Sequence, residues 1–347
     1  MDKKVRSEID PQNMYQAIFD FPDHMADAIR IGSAINLKND YSGVRNIVLA
    51  GMGGSAIGGD VAHMLIGADI KIPFKVSRGY TLPNWVGADT LVICSSYSGN
   101  TEETLAAFAE AQYKNAQICG ITTGGKIGEL LTANGYDKID IIPGLQPRAA
   151  LAYSFITILY LLNKIAAIGS GFAAHLQASI DLLKAVRNEY SGATNNPTLN
   201  IARKISKTLP IIYGETEATA IVANRWRGQI SENAKMLAYS NELPEMNHNE
   251  IVGWLNNPVL LKHLTVIWLQ DPDDHPRVKL RQQISRELIG EFCEQEVISV
   301  AGESRIARLL HLIHFGDWLS YWLALEHSTD PTPVEKIMNL KDRLAKL

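Results

Sequence analysis

From Asn46 onward the chain alternates short β-branched apolar runs with helical segments, the pattern of a mostly parallel sheet flanked by helices. Strands are predicted near Ile47–Gly51, Phe74–Val76, Leu91–Cys94, Gln117–Thr122 and Lys138–Ile142, with helices filling the gaps. The segment Ala149–Ile168 is apolar nearly all round, which places it against the sheet or between two domains. GSGFAAH, beginning at Gly169, reads as a junction. A second alternating series follows, with a strand near Pro210–Tyr213, a long helix from about Thr216, and strands near Thr265–Leu269 and Glu296–Val300. An amphipathic helix over Ala307–Glu326 and a Pro-punctuated turn, STDPTP, precede a last helix from about Val334. The expected architecture is α/β in two domains: residues 1–168 with an N-terminal helical extension, and 169–347 with a C-terminal helix. There is no low-complexity segment and no simple 20–50-residue repeat.

Composition narrows the function. The 347 residues are 46% hydrophobic against 20% charged, enough apolar material for one large or two ordinary cores. Thirty-three basic against thirty-seven acidic side chains give a net charge of −4, so no overall positive field holds a nucleic-acid backbone or an anionic membrane. An anionic ligand must be held locally, and a small phosphorylated metabolite fits. Three widely spaced cysteines, Cys94, Cys119 and Cys293, fit neither a disulfide framework nor a zinc knuckle, and as buried apolar residues they point to a reducing cytoplasm. The first 25 residues lack the apolar stretch of a signal peptide. The most apolar stretch, Ala150–Asn163, is shorter than the roughly 20 residues of a membrane-spanning helix.

The first strand runs into GMGGSAIGGD, Gly51 to Asp60, where backbone without β-carbons meets the start of a helix: an anion-cradling turn. Gly51, Gly53 and Ala56 also fit the G-x-G-x-x-A dinucleotide fingerprint, although Arg78 stands near where an NAD site wants an acidic residue. A tight turn with close helix packing is the third reading. The third strand ends in CSSYSGNTEET, which gathers Ser95, Ser96, Ser98 and Thr101 around a glycine at another strand-to-helix turn. Helix capping alone explains some of these hydroxyls, but four exceed what a cap requires. Both turns are expected on the carboxyl edge of one sheet, where open α/β sheets bind ligands.

After the fifth strand, in PGLQPRAAL, Arg148 opens the apolar helix, where the helix dipole disfavours a cation. An anionic partner resolves that conflict; a surface role is the alternative. In the polar stretch Arg225–Trp254, Glu232 follows a partly buried helix, and His248 lies in a turn before another apolar helix. A carboxylate can shuttle a carbon-bound proton and a histidine an oxygen-bound one, though position alone also fits solvated or structural roles. His311 and His314 have helical spacing but no further ligand nearby, so they read as packing or surface residues, and no metal motif stands out.

Taken together, Gly53-Gly54-Ser55, the SSYSGNTEET block, QPRAALAY, the ENAK…NHNEIVGW block and DPTPVEKIMNLK resemble, in order, the signatures of the two-domain sugar isomerase (SIS) proteins, and within them the bifunctional phosphoglucose/phosphomannose isomerases. The resemblance runs from about residue 50 to 341 and implies two SIS-type α-β-α sandwich domains. It implies that Ser96, Ser98 and Thr101 hold a substrate phosphate while Gly53, Gly54 and Ser55 line the sugar. It further implies Arg148 as the charge that steadies an enediolate, Glu232 as base, His248 and Lys336 in ring opening, and Thr329 lining the region that admits both sugar epimers. The implied enzyme is cofactor-free and metal-free. It acts on hexose 6-phosphates as a cytoplasmic homodimer whose active site lies at the subunit interface, with no nucleic-acid or membrane partner. A non-catalytic sugar-phosphate sensor, which needs no Glu232, His248 and Lys336 together, and an NADP-linked dehydrogenase with Arg78 on the 2′-phosphate are the competing readings.

Overall fold

A computed structural model describes residues 7–346. These form two compact units: one spans Asp20–Asp181, and the other joins the described residues up to Phe19 with those from Leu182 on. Each unit is built on one wholly parallel sheet flanked by helices, as the alternating pattern predicts.

In the Asp20–Asp181 unit, α2 (Phe21–Ser33) precedes β1 (Asn46–Ala50), α3 (Gly53–Ile66), β2 (Phe74–Ser77), β3 (Thr90–Ser96), α4 (Glu102–Tyr113), β4 (Gln117–Thr122), α5 (Gly125–Ala133), β5 (Asp137–Asp140) and α6 (Leu151–Lys164); α1 (Met14–Phe19) belongs to the other unit. The strand order is β2-β1-β3-β4-β5, with Ile47 opposite Leu91 and Ile93 opposite Cys119. β3 is buried along its whole length, because both faces are covered and an apolar run satisfies both. One face packs Val48, Val92, Cys94 and Ile118 against Phe108, Ile127 and Leu131. On the other lies α3, with Gly59 against Leu49 and Val76, and α6 packs against α2 and α3 and so needs apolar residues around most of its circumference. It is shorter than the expected Ala149–Ile168, and Arg148 sits in the turn before it instead of opening it. Gly58 permits its close approach, since a β-carbon there would lie 2.1 Å from Ser154 Oγ.

The second sheet runs β7-β6-β8-β9, from β6 (Leu209–Glu215), β7 (Tyr239–Leu243), β8 (Leu264–Leu269) and β9 (Glu294–Ile298). Its helices are α7 (Phe172–Tyr190), inside which the unit boundary falls, α8 (Pro197–Ile205), α9 (Thr219–Ala234), α10 (Pro258–Leu261), α11 (Pro276–Ile289), α12 (Arg305–Glu326) and α13 (Glu335–Leu344). α12 is buried from Ala307 to Leu325. Its polar side chains are accordingly paired: His311 bonds the Tyr190 hydroxyl and the Ala301 carbonyl, and His314 accepts from Trp318 Nε1. Both histidines are packing residues. α1 lies on this helix, with Tyr15 edge-on to Trp318 and Tyr321. Cys94 and Cys119 are buried and Cys293 half-buried; burial pushes the Cys94 thiol up to about 12. Among the described residues no helix is long and apolar enough to cross a membrane.

Candidate active site

The two turns singled out in the sequence meet on the first sheet. β1 and β3 are neighbours, while the connection from β1 leads to β2 on its other side, so the turns after β1 and β3 flank the point where strand order reverses. Contact is close: a β-carbon on Gly51 would lie 2.9 Å from the Ser95 carbonyl oxygen. Across the crevice the Tyr97 N–H donates to Ser55 Oγ (3.2 Å).

α3 starts at Gly53, which has φ +49 in the left-handed region. The N–H groups of Gly53 and Gly54 have no intrahelical acceptor, the Ser55 N–H bonds the Met52 carbonyl (3.1 Å), and the N-cap, Met52, offers no side-chain bond. Arg148 comes to this end. A β-carbon on Gly54 would lie 2.5 Å from the Pro147 carbonyl oxygen and 3.5 Å from the Arg148 nitrogen, so the glycine lets the Pro147–Arg148 backbone abut the start of α3. The Arg148 side chain is buried.

In the second turn, Thr101 is the N-cap of α4 but does not cap it. Its Oγ1 is hydrogen-bonded to Ser96 Oγ (2.8 Å), and Ser96 Oγ accepts the Gly99 N–H (3.1 Å). The N–H groups opening α4 are thereby left for another acceptor. Ser96 is buried, Thr101 half-buried and Ser98 exposed, with Ser98 Oγ accepting from the Asn100 N–H (3.3 Å). Gly99 has φ +71, and a β-carbon there would lie 1.8 Å from the Gly124 carbonyl oxygen, so the turn is braced on the β4–α5 connection. Asn100 Oδ1 adds a bond from the Lys126 N–H (3.0 Å).

Sequence reasoning passed over Tyr97. Its hydroxyl donates to the Ile142 carbonyl (2.9 Å) and accepts the Leu145 N–H (3.0 Å), which ties the hydroxyl turn to the loop leading to Arg148. Burial holds its pKa above the ordinary tyrosine value, so it remains a neutral donor. The available signal was a large side chain inside a run of small ones. Arg78 is ion-paired with Asp60 on α3.

The remaining candidates lie in the other unit. Glu232 is half-buried within the last turn of α9, not after the helix. Lys235 follows in the left-handed conformation (φ 55), and its ammonium donates to the carbonyls of Glu232 (2.6 Å), Asn233 (3.3 Å) and Pro331 (3.0 Å). That staple ties the Glu232 backbone to the DPTP turn, which Thr329 precedes and Lys336 follows. Thr329 Oγ1 donates to the His327 carbonyl (3.2 Å), and Lys336 is exposed in the first turn of α13. α9 is fixed against α12 by a buried polar ladder. Arg225 pairs with Asp317 (2.9 Å), Gln229 Nε2 donates to Asp317 (2.8 Å), and Asn233 Nδ2 donates to Ser320 Oγ (2.9 Å).

His248 ends a short 3-10 turn, Glu245–His248, and a second one, Glu250–Gly253, follows where an apolar helix was expected. The polar run NHNE explains the difference: its side chains bond neighbouring groups instead of leaving a helix to form. Asn247 Nδ2 donates to Ser285 Oγ (2.7 Å), Glu250 accepts from Asn241 Nδ2 (2.5 Å) and from the Tyr213 hydroxyl, and the His248 side chain is exposed. No described contact joins His248 to Glu232, Thr329 or Lys336. Among the described residues no cluster of three or more His, Cys, Asp or Glu could hold a metal ion.

Comparison with known proteins identifies the family of the chain. Residues 194–344 match the model of the bacterial phospho-glucose isomerase C-terminal SIS domain. A bifunctional phosphoglucose/phosphomannose isomerase of Caldicellulosiruptor bescii is 41% identical over 338 residues, 96% of this chain and 99% of that one. One from Aquifex aeolicus is 37% identical over 90% of this chain and 94% of that one. Among solved structures, a hypothetical protein of Thermus thermophilus superposes with a TM-score of 0.74 at 14% identity, over 99% of this chain and 94% of that one, a likeness of fold.

Proposed function

Because the chain belongs to the bifunctional phosphoglucose/phosphomannose isomerase family, and is therefore an aldose–ketose isomerase interconverting glucose 6-phosphate or mannose 6-phosphate with fructose 6-phosphate, we propose how its residues divide the reaction. The observation that carries the proposal is the pair of turns at the reversal of strand order, where the helix-opening N–H groups at Gly53 and after Thr101 are left without a side-chain cap and stand beside the linked Ser96 and Thr101 hydroxyls. Ser96, Ser98, Thr101 and the first turn of α4 take the phosphate dianion; Gly53, Gly54 and Ser55 take the adjoining sugar hydroxyls. Phosphate binding fixes the open chain so that the reacting carbons are presented in one orientation.

Aldose–ketose exchange then needs the ring opened, a proton taken from C2 and a proton returned at C1. His248 and Lys336 serve ring opening by moving the proton between the ring oxygen and the C1 hydroxyl. Glu232 takes the C2 proton, leaving a planar enediolate, and returns it to C1 while the O2 proton passes to O1, giving the ketose with the carboxylate as it began. The Arg148 guanidinium offsets the negative charge that develops on the enediolate oxygens. Rotation about C2–C3 lets the same carboxylate serve either C2 epimer, with Thr329 lining the space that rotation needs. No step requires a metal or a cofactor. The exposure of His248 is the arrangement that a group serving a partner subunit needs, and a cytoplasmic homodimer with the site at the subunit interface is part of the proposal.

Glu232→Gln tests the core of this reading. It keeps size and hydrogen bonding but removes the basic site, and general-base catalysis is worth roughly 10²–10⁴-fold. Both the glucose and the mannose reactions should fall at least a hundredfold in coupled assays, while an unreactive sugar-phosphate analogue still binds. Survival of either isomerisation within tenfold of the unaltered enzyme removes Glu232 from the shared step.

A further inference from the structure

The second sheet carries a cleft of about 380 Å³ beside the carboxyl ends of β8 and β9, whose lining includes Gln270, Asp271, Lys279, Gln283, Arg286 and Ser299. None of these belongs to the candidate active site. Lys279, Gln283 and Arg286 stand at i, i+4 and i+7 on α11 and so share one face of that helix. Gln270 and Ser299 are the first residues after β8 and β9.

The charge balance of this lining is lopsided. Its single carboxylate, Asp271, is taken up by Arg308, whose Nε and Nη2 donate to its two oxygens (2.7 and 3.0 Å). Among the described residues Lys279 Nζ donates only to the Pro272 carbonyl (2.8 Å), which fixes its stem along the rim without neutralising its charge. Arg286 enters no ion pair among the described residues, and its buried Nε–H has no acceptor. A charged donor cut off from water without an acceptor is unfavourable, and an incoming anionic oxygen relieves it. In a chain of net charge −4, two uncompensated cations beside two amides and a hydroxyl form a local site for a small anion.

We propose that this cleft binds a phosphate dianion, either free or as the terminal group of a small metabolite, at a site independent of the catalytic one. The Arg286 guanidinium meets the phosphate as a planar fork and Lys279 as a point charge, while Ser299 and the second N–H of Gln270 and of Gln283, whose amides also donate to Gln282 Oε1 and Glu287 Oε1, bond the remaining oxygens or an attached polyol. The class matches the cleft's donors: amides and a hydroxyl suit phosphate oxygens, and Pro272 is the one apolar side chain among its lining residues.

Equilibrium dialysis of the full chain with labelled inorganic phosphate at low ionic strength tests this, comparing the unaltered protein with Lys279→Gln/Arg286→Gln. The unaltered protein should hold one more phosphate per chain than the double variant, or hold it at least tenfold more tightly, while the isomerase turnover of the two agrees within twofold. Ser299→Asp, which puts a like charge into the cleft without touching either cation, should give the same loss and serves if the double variant folds poorly. Displacement of the label by glycerol 3-phosphate at lower concentrations than by phosphate identifies an ester as the ligand; the reverse order identifies the free dianion. Identical isotherms for the unaltered protein and both variants overturn the proposal.

Discussion

Thr101 is an N-cap residue that leaves its helix uncapped, and that choice gives the phosphate half-site its character. Bonded to Ser96 instead of an α4 N–H, it keeps the helix N-terminus available, while Ser98 stands exposed one turn away. Replacing Ser98 by alanine and Thr101 by valine should therefore weaken substrate binding more than catalysis. A hydrogen bond to a charged group is worth about 1.5–3 kcal/mol, so KM should rise roughly tenfold or more for each hydroxyl, with kcat changed only a few-fold. Steady-state kinetics on fructose 6-phosphate decide it, and an unchanged KM in a folded variant moves the phosphate elsewhere. The hydroxyls were legible in the sequence because four of them crowd one strand-to-helix turn. Tyr97 was not, since its contacts run to Ile142 and Leu145, distant in the chain, and Asn100, which the sequence offers as a cap of the following helix, instead accepts from the Lys126 N–H.

Elements were legible where burial covers both faces and obscure where it does not. β4 falls at the predicted Gln117–Thr122, because its run is apolar and its neighbours press on it from both sides. β7, Tyr-Ser-Asn-Glu-Leu, was passed over: it is an edge strand, mostly half-exposed, and its polar residues carry no period-2 signal. The helix α9 was expected, but the ladder that fixes it was invisible, since Arg225, Gln229 and Asn233 find their partners on α12, some ninety residues on. Burial pushes the Asp317 carboxyl up while the Arg225 guanidinium beside it pulls the other way. Removing one charge leaves the other buried and alone, which costs about 3–5 kcal/mol. Arg225→Met should accordingly lower the denaturation midpoint sharply, whereas Arg225→Met with Asp317→Leu should recover much of the loss. A double variant no more stable than the single one shows that the pair is not what the packing of α9 depends on.

At the scale of the whole molecule, the two parallel sheets treat the same structural position in opposite ways. In the first, the turns at the reversal of strand order between β1 and β3 carry the N–H groups and hydroxyls that we propose bind the substrate. In the second, the reversal between β6 and β8 is filled from within: Glu215 at the end of β6 accepts from Arg305 Nη2 (3.1 Å) and from the His275 N–H (2.9 Å), and Asp274 packs beside it. Asp274 Oδ2 accepts the Asp271 N–H (2.8 Å), while the buried Oδ1 faces the Glu215 carboxylate and lies 3.7 Å from Arg305. Asp271 and Asp273 nearby are held by Arg308. Burial, followed by the hydrogen bond with Glu215 and then its negative charge, pushes Asp274 up to about 7 against the opposing Asp271 N–H bond, so the folded protein keeps a proton there that the unfolded chain has already released. The sign follows. This group stabilises the fold fully below its ordinary carboxyl pKa, and the contribution is lost as pH rises toward and through 7. His314 acts in the other direction: burial holds it neutral down to about 3, so its contribution is present above its unfolded pKa and is lost on acidification. The two trends overlap between about pH 4 and 6.5 and partly cancel in the unaltered protein, so the useful quantity is a difference. Asp274→Asn copies the protonated side chain at every pH. Subtracting the unfolding free energy of the unaltered protein from that of this variant should give a value that is flat below about pH 4, rises with pH by up to about 1.4 kcal/mol per unit, and levels off above about 7. Denaturant titrations at five or six pH values measure it. A difference independent of pH across that range means that Asp274 holds no proton there in the folded protein, and that the Glu215 bonds to Arg305 and His275 close the crevice of the second sheet without it.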